Sequence, residues 1–182
     1  MLPNQRLLRE ARSDREHTGC AAGFNISRVV IVPPPSPPDP NYEQRILESF
    51  QRQAFMKTLG ATLTRIQPGA VEIRLPIRAA LTQQHGFIHA GAVATIGDSA
   101  CGYAALSLMP VDAAVLTIEF KINLMAPAQG DALIARGRVV RSGRTITVCE
   151  ANIVAVTSGH EVAVALLVST IMTVRDRPGL HD

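Results

Sequence analysis

From Gly91 to Leu108 the chain is built largely of Ala and Gly, with Val93, Ile96, Ala100 and Ala104 at helical spacing. Small side chains let neighbouring backbones come close, so a helix of this kind is swallowed by the fold rather than laid on its surface. One carboxylate, Asp98, stands in its middle. A buried carboxylate costs several kcal/mol unless it is paired or used. The turn leading in, Gln83-Gln84-His85-Gly86-Phe87-Ile88-His89-Ala90-Gly91, is polar and carries glycine, and it opens onto the unpaired N–H groups of a helix start. The rest of the chain must therefore wrap this helix, and the acid inside it points to an active site.

The flanking segments show what does the wrapping. Ile46, Leu47, Phe50, Ala54 and Phe55 recur at helical intervals and predict one amphipathic helix over residues 42–57. Leu63 to Ile66 is extended, Pro68-Gly69 marks a turn, and Val71 to Leu75 alternates with strand period. Beyond Pro110 the pattern is all strand: Ile118 to Leu124, Leu133 to Arg141, Thr145 to Val156 and Glu161 to Val174. Ser142-Gly143-Arg144 and Ser158-Gly159-His160 close short connections, so antiparallel neighbours and a four-strand meander are expected. The expected architecture is α+β, a long core helix covered by one curved antiparallel sheet. Edge strands of such a sheet stay unpaired, and oligomer formation is one way to cover them.

Residues 1–40 differ from the rest. They are Arg-rich and end in Pro33-Pro34-Pro35-Ser36-Pro37-Pro38-Asp39-Pro40. They are expected to form a disordered basic, Pro-rich tail or a segment upstream of the true start, before a domain over 41–175 and a C-terminal tail over 176–182. No run approaches the roughly 18 apolar residues of a membrane span. A net charge of +3 and few aromatics give no support for a nucleic-acid partner. Cys20, Cys101 and Cys149 have neither metal nor disulfide spacing, which fits a reducing, cytoplasmic setting.

Several residues near the helix carry chemistry. Asp98 can act as a general base on water or as a nucleophile. The backbone N–H groups of Ala90 and Gly91 can hold a developing oxyanion at the positive end of the helix. His85 and His89 stand four apart but lack a third ligand, so no metal is expected, and His89 is expected to fix the turn by hydrogen bonds to backbone. Ser99 lacks the glycines of a nucleophile elbow. Thr117, at the start of the next strand, can hold an attacking water. Arg136, Arg138, Arg141 and Arg144 surround one hairpin and suit either phosphate contacts or a solvated edge.

From about Tyr42 to Val174 the chain resembles the hotdog-fold acyl-CoA thioesterases of the phenylacetate-degradation (PaaI-like) type. The residues that carry the resemblance are His89-Ala90-Gly91 in place of His-Gly-Gly, Asp98 nine residues after the His, Gln83 six before it in place of Asn, Thr117, and the strand ending Leu124-Met125-Ala126-Pro127. The resemblance implies the hotdog fold, hydrolysis of an acyl-CoA thioester without a cofactor, and a homodimer or tetramer. It implies that Gln83 orients Asp98 or the thioester; for such a substrate the basic hairpin, chiefly Arg144 with Arg141, is expected to hold the phosphates of CoA. Rival readings are a hotdog dehydratase, an acyl-CoA-binding module without turnover, and a structural partner.

Ala90 and Asp98 lie eight residues apart, about 12 Å along an α-helix. One thioester carbonyl cannot touch both. Two such helices packed antiparallel about a twofold axis would bring position 90 of one chain to position 98 of the other.

Overall fold

A computed structural model describes residues 36–177 and Gly179, within one unit, Pro34–Asp182. The expected N-terminal tail lies, through residue 35, outside the described residues, as do Pro178 and residues 180–182 of the C-terminal one.

The chain opens with α1 (Tyr42–Arg52), which buries Ile46 and Phe50 one turn apart, and α2 (Ala54–Leu59), which buries Met56 and Leu59. The single helix expected over 42–57 is thus two. The break is at Gln53, whose backbone is extended (φ −72°, ψ 98°) and whose side chain turns inward to Tyr103. Neither Gly nor Pro marks that position, so local sequence gives no sign of it. A hairpin follows, β1 (Thr62–Gln67) and β2 (Ala70–Pro76), closed by Pro68-Gly69 with Gly69 at positive φ. The small-residue segment forms α3 (Ala90–Leu106). It is followed by β3 (Ala114–Leu124), β4 (Ala132–Ser142), β5 (Ile146–Thr157) and β6 (His160–Val174).

All six strands join one antiparallel sheet in the order β1-β2-β4-β5-β6-β3. The expected four-strand meander holds only for β4, β5 and β6. Strand β3 pairs with β6 at the far edge, and β4 pairs with β2 instead. The connection explains the difference. Residues 125–131, with Pro127 inside, are too long for a tight hairpin and can cross, whereas Ser158 and Gly159, both at positive φ, make the two-residue turn that keeps β5 and β6 adjacent.

Helix α3 lies along the inner face of the sheet, against Val71, Ile73 and Leu75 of β2, Leu133 and Ala135 of β4, and Ile153 and Leu167 beyond. It is apolar on nearly every side, as a central helix must be. Its closeness to β4 is enforced by Gly137: a Cβ there would lie 2.4 Å from the carbonyl carbon of Ala100. The far end of α3 is closed by Arg45. Its guanidinium donates to the carbonyls of Leu106 (2.9 Å), Met109 (3.1 Å) and Pro110 (2.7 Å), which leaves positive charge at a helix C-terminus. Arg45 also pairs with Asp39 at 3.2 Å. Asp39, assigned from sequence to the tail, is 4% exposed and packs with the domain.

Strand β3 is hydrogen-bonded on one side only, and its edge is apolar. Ile118, Phe120 and Leu124 are 53%, 45% and 55% exposed in the single chain. Among the described residues no helix is long and apolar enough to cross a membrane.

Candidate active site

The turn before α3 is built by its own backbone. Gln83 N–H donates to Phe87 O (2.8 Å), Gly86 N–H to Gln83 O (3.0 Å), and His89 N–H to Leu81 O (2.9 Å). Gly86 sits at φ +85°, where L side chains are strained. The Gln83 side-chain oxygen accepts the His85 N–H, which leaves the Gln83 amide NH2 group as a donor with no partner among the described residues. His89 is the N-cap of α3: its Nδ1 accepts the Gly91 N–H at 2.9 Å. An accepting Nδ1 requires the neutral ring with its proton on Nε2.

That cap changes the expected oxyanion donors. The Gly91 N–H is already given to His89, so Gly91 cannot serve as the second donor. The Ala90 N–H makes no hydrogen bond among the described residues and opens to the surface. One free amide therefore remains at the positive end of α3.

Two turns further on, Asp98 is half-buried, with Thr117 Oγ1 donating to its Oδ1 at 2.8 Å. Burial pushes the Asp98 carboxyl above its usual range, and the Thr117 hydrogen bond partly offsets this. The second carboxylate oxygen has no partner among the described residues. Thr117 is thus seated on the carboxylate itself, while its oxygen can still accept from a water.

The two groups do not share a cavity. Asp98 and Thr117 line a cavity of about 320 Å³ with Gln53, Ser99, Gly102, Tyr103, Val115 and Leu116. Ala90 and Gln83 line another of about 220 Å³, walled by Phe87, Ile88, Val93, Leu124 and Pro127. No residue lines both. Gln83 therefore stands beside Ala90 and not beside the Asp98 of its own chain. A larger cavity of about 430 Å³ lies on the outer face of the sheet, away from Asp98. Two of its lining arginines are paired, Arg136 with Glu72 and Glu161, and Arg138 with Glu150.

This pairing divides the arginine cluster. Arg136 and Arg138 belong to the outer face. Arg141, near the end of β4, and Arg144, in the turn after it, are exposed and make no ion pair among the described residues. Thr117 pairs with Ile171 and Ile171 with Thr147, which places that turn at the Asp98 end of the sheet, about 10 Å across two strand spacings. The buried thiols contribute no nucleophile. Burial raises Cys101, and Cys149 is pushed up to about 12. Among the described residues no three His, Cys, Asp or Glu side chains gather as a metal site.

Sequence reading missed Gln53 and Tyr103. Gln53 Nε2 donates to Tyr103 Oη at 2.8 Å, and both stand in the Asp98 cavity. Tyr103, five residues after Asp98, was legible as a helix residue, but nothing in the sequence says that α1 breaks at Gln53 to meet it.

Residues 85–161 match the family model of the thioesterase superfamily. A Halobacterium salinarum protein provisionally named an esterase is 38% identical over 105 residues, 55% of this chain and 69% of that one. Among solved structures, a thioesterase family protein from Silicibacter pomeroyi is 50% identical, with a TM-score of 0.73 over 74% of this chain and 99% of the other. The PaaI protein of the Escherichia coli phenylacetic acid degradation operon superposes with a TM-score of 0.66 over 74% of this chain and 94% of that one. At 22% identity it speaks to the fold alone.

Proposed function

The chain belongs to the thioesterase superfamily and has its hotdog fold, and from that premise we propose that it hydrolyses acyl-CoA thioesters at a site shared between two subunits. The observation that carries this reading is the separation of the two half-sites. The free amide of Ala90 and the NH2 group of Gln83 lie in one cavity, and the carboxylate of Asp98 in another. A twofold axis that sets α3 antiparallel to its copy joins the first half of each chain to the second half of its partner. The open, apolar edge of β3 supports such a dimer, because an exposed edge of this length needs cover.

In the joined site the thioester carbonyl oxygen accepts the Ala90 N–H of one subunit, beside the Gln83 amide. Asp98 of the other subunit, held by Thr117, takes a proton from water as the oxygen attacks the carbonyl carbon. The tetrahedral oxyanion is stabilised by the Ala90 amide and the dipole of α3. Collapse breaks the C–S bond, and the proton on Asp98 passes to the departing CoA thiolate. The raised affinity of Asp98 for protons favours the role of base, since an efficient base has a pKa nearer the working pH. Arg144 and Arg141 hold the CoA phosphates. The setting is cytoplasmic, where acyl-CoA is available.

Release of free thiol from a panel of acyl-CoA esters tests the reaction. Hydrolysis appears as thiol at the rate of acid formation. A chain that dehydrates hydroxyacyl-CoA, or that binds acyl-CoA without turnover, releases none, and that result overturns the reading.

A further inference from the structure

Strand β3 carries one residue too many for its ladder. From Ala114 to Thr117 it faces Val174 to Ile171 of β6 in one register, and from Glu119 to Leu124 it faces Thr170 to Ala165 in the next. Ile118 falls between the two and stands opposite no residue of β6. Struck out, it leaves Val115-Leu116-Thr117-Glu119-Phe120-Lys121-Ile122-Asn123-Leu124, a strand of unbroken period two. Every other pair of the ladder would then stand in a single register, with Val115, Thr117, Ile122 and Leu124 still turned toward α3. The pairing of β3 therefore does not need Ile118, and a bulge leaves a residue unpaired and the ladder disrupted. Such a residue needs a reason.

The interruption comes directly after Thr117. Asp and Thr are both short side chains, yet here they meet at 2.8 Å between helix and strand. Further along the same face it is the larger Ile122 that reaches the core. The strand must come nearer to α3 at Thr117 than an even course brings it, and a bulge bends the strand that carries it and re-aims the side chain beside it. We propose that Ile118 is a positioning residue: the bulge it makes bends β3 toward α3 and seats the Thr117 hydroxyl on Asp98. The extra backbone residue does this, not the Ile side chain, which is 53% exposed at the sheet edge. The effect on turnover rests on the thioesterase reading, whereas the effect on the carboxyl rests on the hydrogen bond alone. Among the residues lining the Asp98 cavity no other is charged, and Tyr103 alone can titrate besides it. Cys101 behind it is kept protonated by burial, and Glu119, next in the ladder, accepts from Thr170 on the other face. The Asp98 carboxyl thus reports on Thr117.

The test deletes Ile118 from the full chain and follows the titration of the Asp98 carboxyl by NMR, with free-thiol release from acyl-CoA across pH as a second readout. The deletion should fold and assemble as the parent does. Its Asp98 should titrate at higher pH than the parent's, as in Thr117→Val, and kcat/KM on the acid side should fall roughly tenfold, the worth of that hydrogen bond. Made in the Thr117→Val background, the deletion should add less than about twofold, because both changes remove the same contact. Ile118→Ala keeps the extra residue and should hold the parent's titration, with turnover within about twofold. A deletion that titrates like the parent overturns the proposal. Failure to fold or to assemble gives the bulge to the sheet or to the subunit edge, with the same consequence. So does a full further loss in the Thr117→Val background, or an Ile118→Ala that matches the deletion. A parent that releases no thiol from any acyl-CoA, while Asp98 still shifts as expected, overturns the thioesterase reading and leaves the positioning role standing.

Discussion

Replacing Thr117 by Val keeps the shape of the side chain and removes the donor that Asp98 Oδ1 accepts at 2.8 Å. A hydrogen bond to a charged group contributes about 1.5–3 kcal/mol. The cavity around Asp98 opens to solvent in the single chain, so the lower end applies. About 1.5 kcal/mol corresponds to roughly tenfold in rate. The loss should depend on pH, and the sign follows from the causes. Burial raises the Asp98 carboxyl and Thr117 lowers it, so the variant carboxyl lies higher still. The base must be ionised, so the rising limb of kcat/KM moves to higher pH in Thr117→Val. The deficit is greatest on the acid side and shrinks as pH rises. Stability runs the other way. A carboxyl raised in the folded state stabilises below the unfolded pKa and loses that contribution as pH rises through the folded one. Asp98→Asn should therefore melt higher than the parent at neutral pH while losing at least about 100-fold in kcat. Free-thiol assays across pH on parent, Thr117→Val and Asp98→Asn check this, with melting curves on each. A Thr117→Val profile that superimposes on the parent's would refute the coupling between Thr117 and Asp98.

Three further outcomes are expected. Arg144→Ala should raise KM for acyl-CoA with little change in kcat, because a distant phosphate contact holds ground and transition states alike. A thioester lacking the nucleotide should not register it, which steady-state kinetics on both substrates decides. Removing residues 1–35 should leave the melting temperature and turnover near those of the full chain. Removing 1–40 should lower the melting temperature, because it strips Asp39 from the buried Arg45 that closes α3.

The core helix, its entry turn and the strands were legible because each rests on local rules. Ala and Gly at helical spacing fix a buried helix, alternation fixes strands, and Gly69 and Gly159 fix their turns. The strand order was not legible, because short turns declare neighbours only where they exist. Residues 125–131 carry no such turn, and β3 went to the far edge. The same limit governed the site. The pairing of Asp98 with Thr117 joins a helix to a strand 19 positions on, and only the resemblance and the position of Thr117 after the helix signal it in the sequence. The occupation of the Gly91 amide by His89 depends on a side-chain rotamer that no pattern encodes. Gln53 was hidden for a related reason: an extended residue between two helical turns is set by what it meets in space, here Tyr103.

The shared site is tested most directly by mixing two inactive chains. Ala90→Pro removes the oxyanion amide without breaking a helical hydrogen bond, since that N–H has none. Pro is accepted at the first helical position. His89 before it, at φ −60° and ψ 136°, already has the backbone that a residue preceding Pro adopts. Asp98→Asn removes the base. Each homodimer should be nearly inactive. A mixed dimer holds one site with both lesions and one site with neither. After co-refolding in equal amounts, half of the dimers are mixed, and activity should return to about a quarter of the parent's by that statistical count. Mixed dimers verified by mass and still without activity would contradict a site built across two subunits.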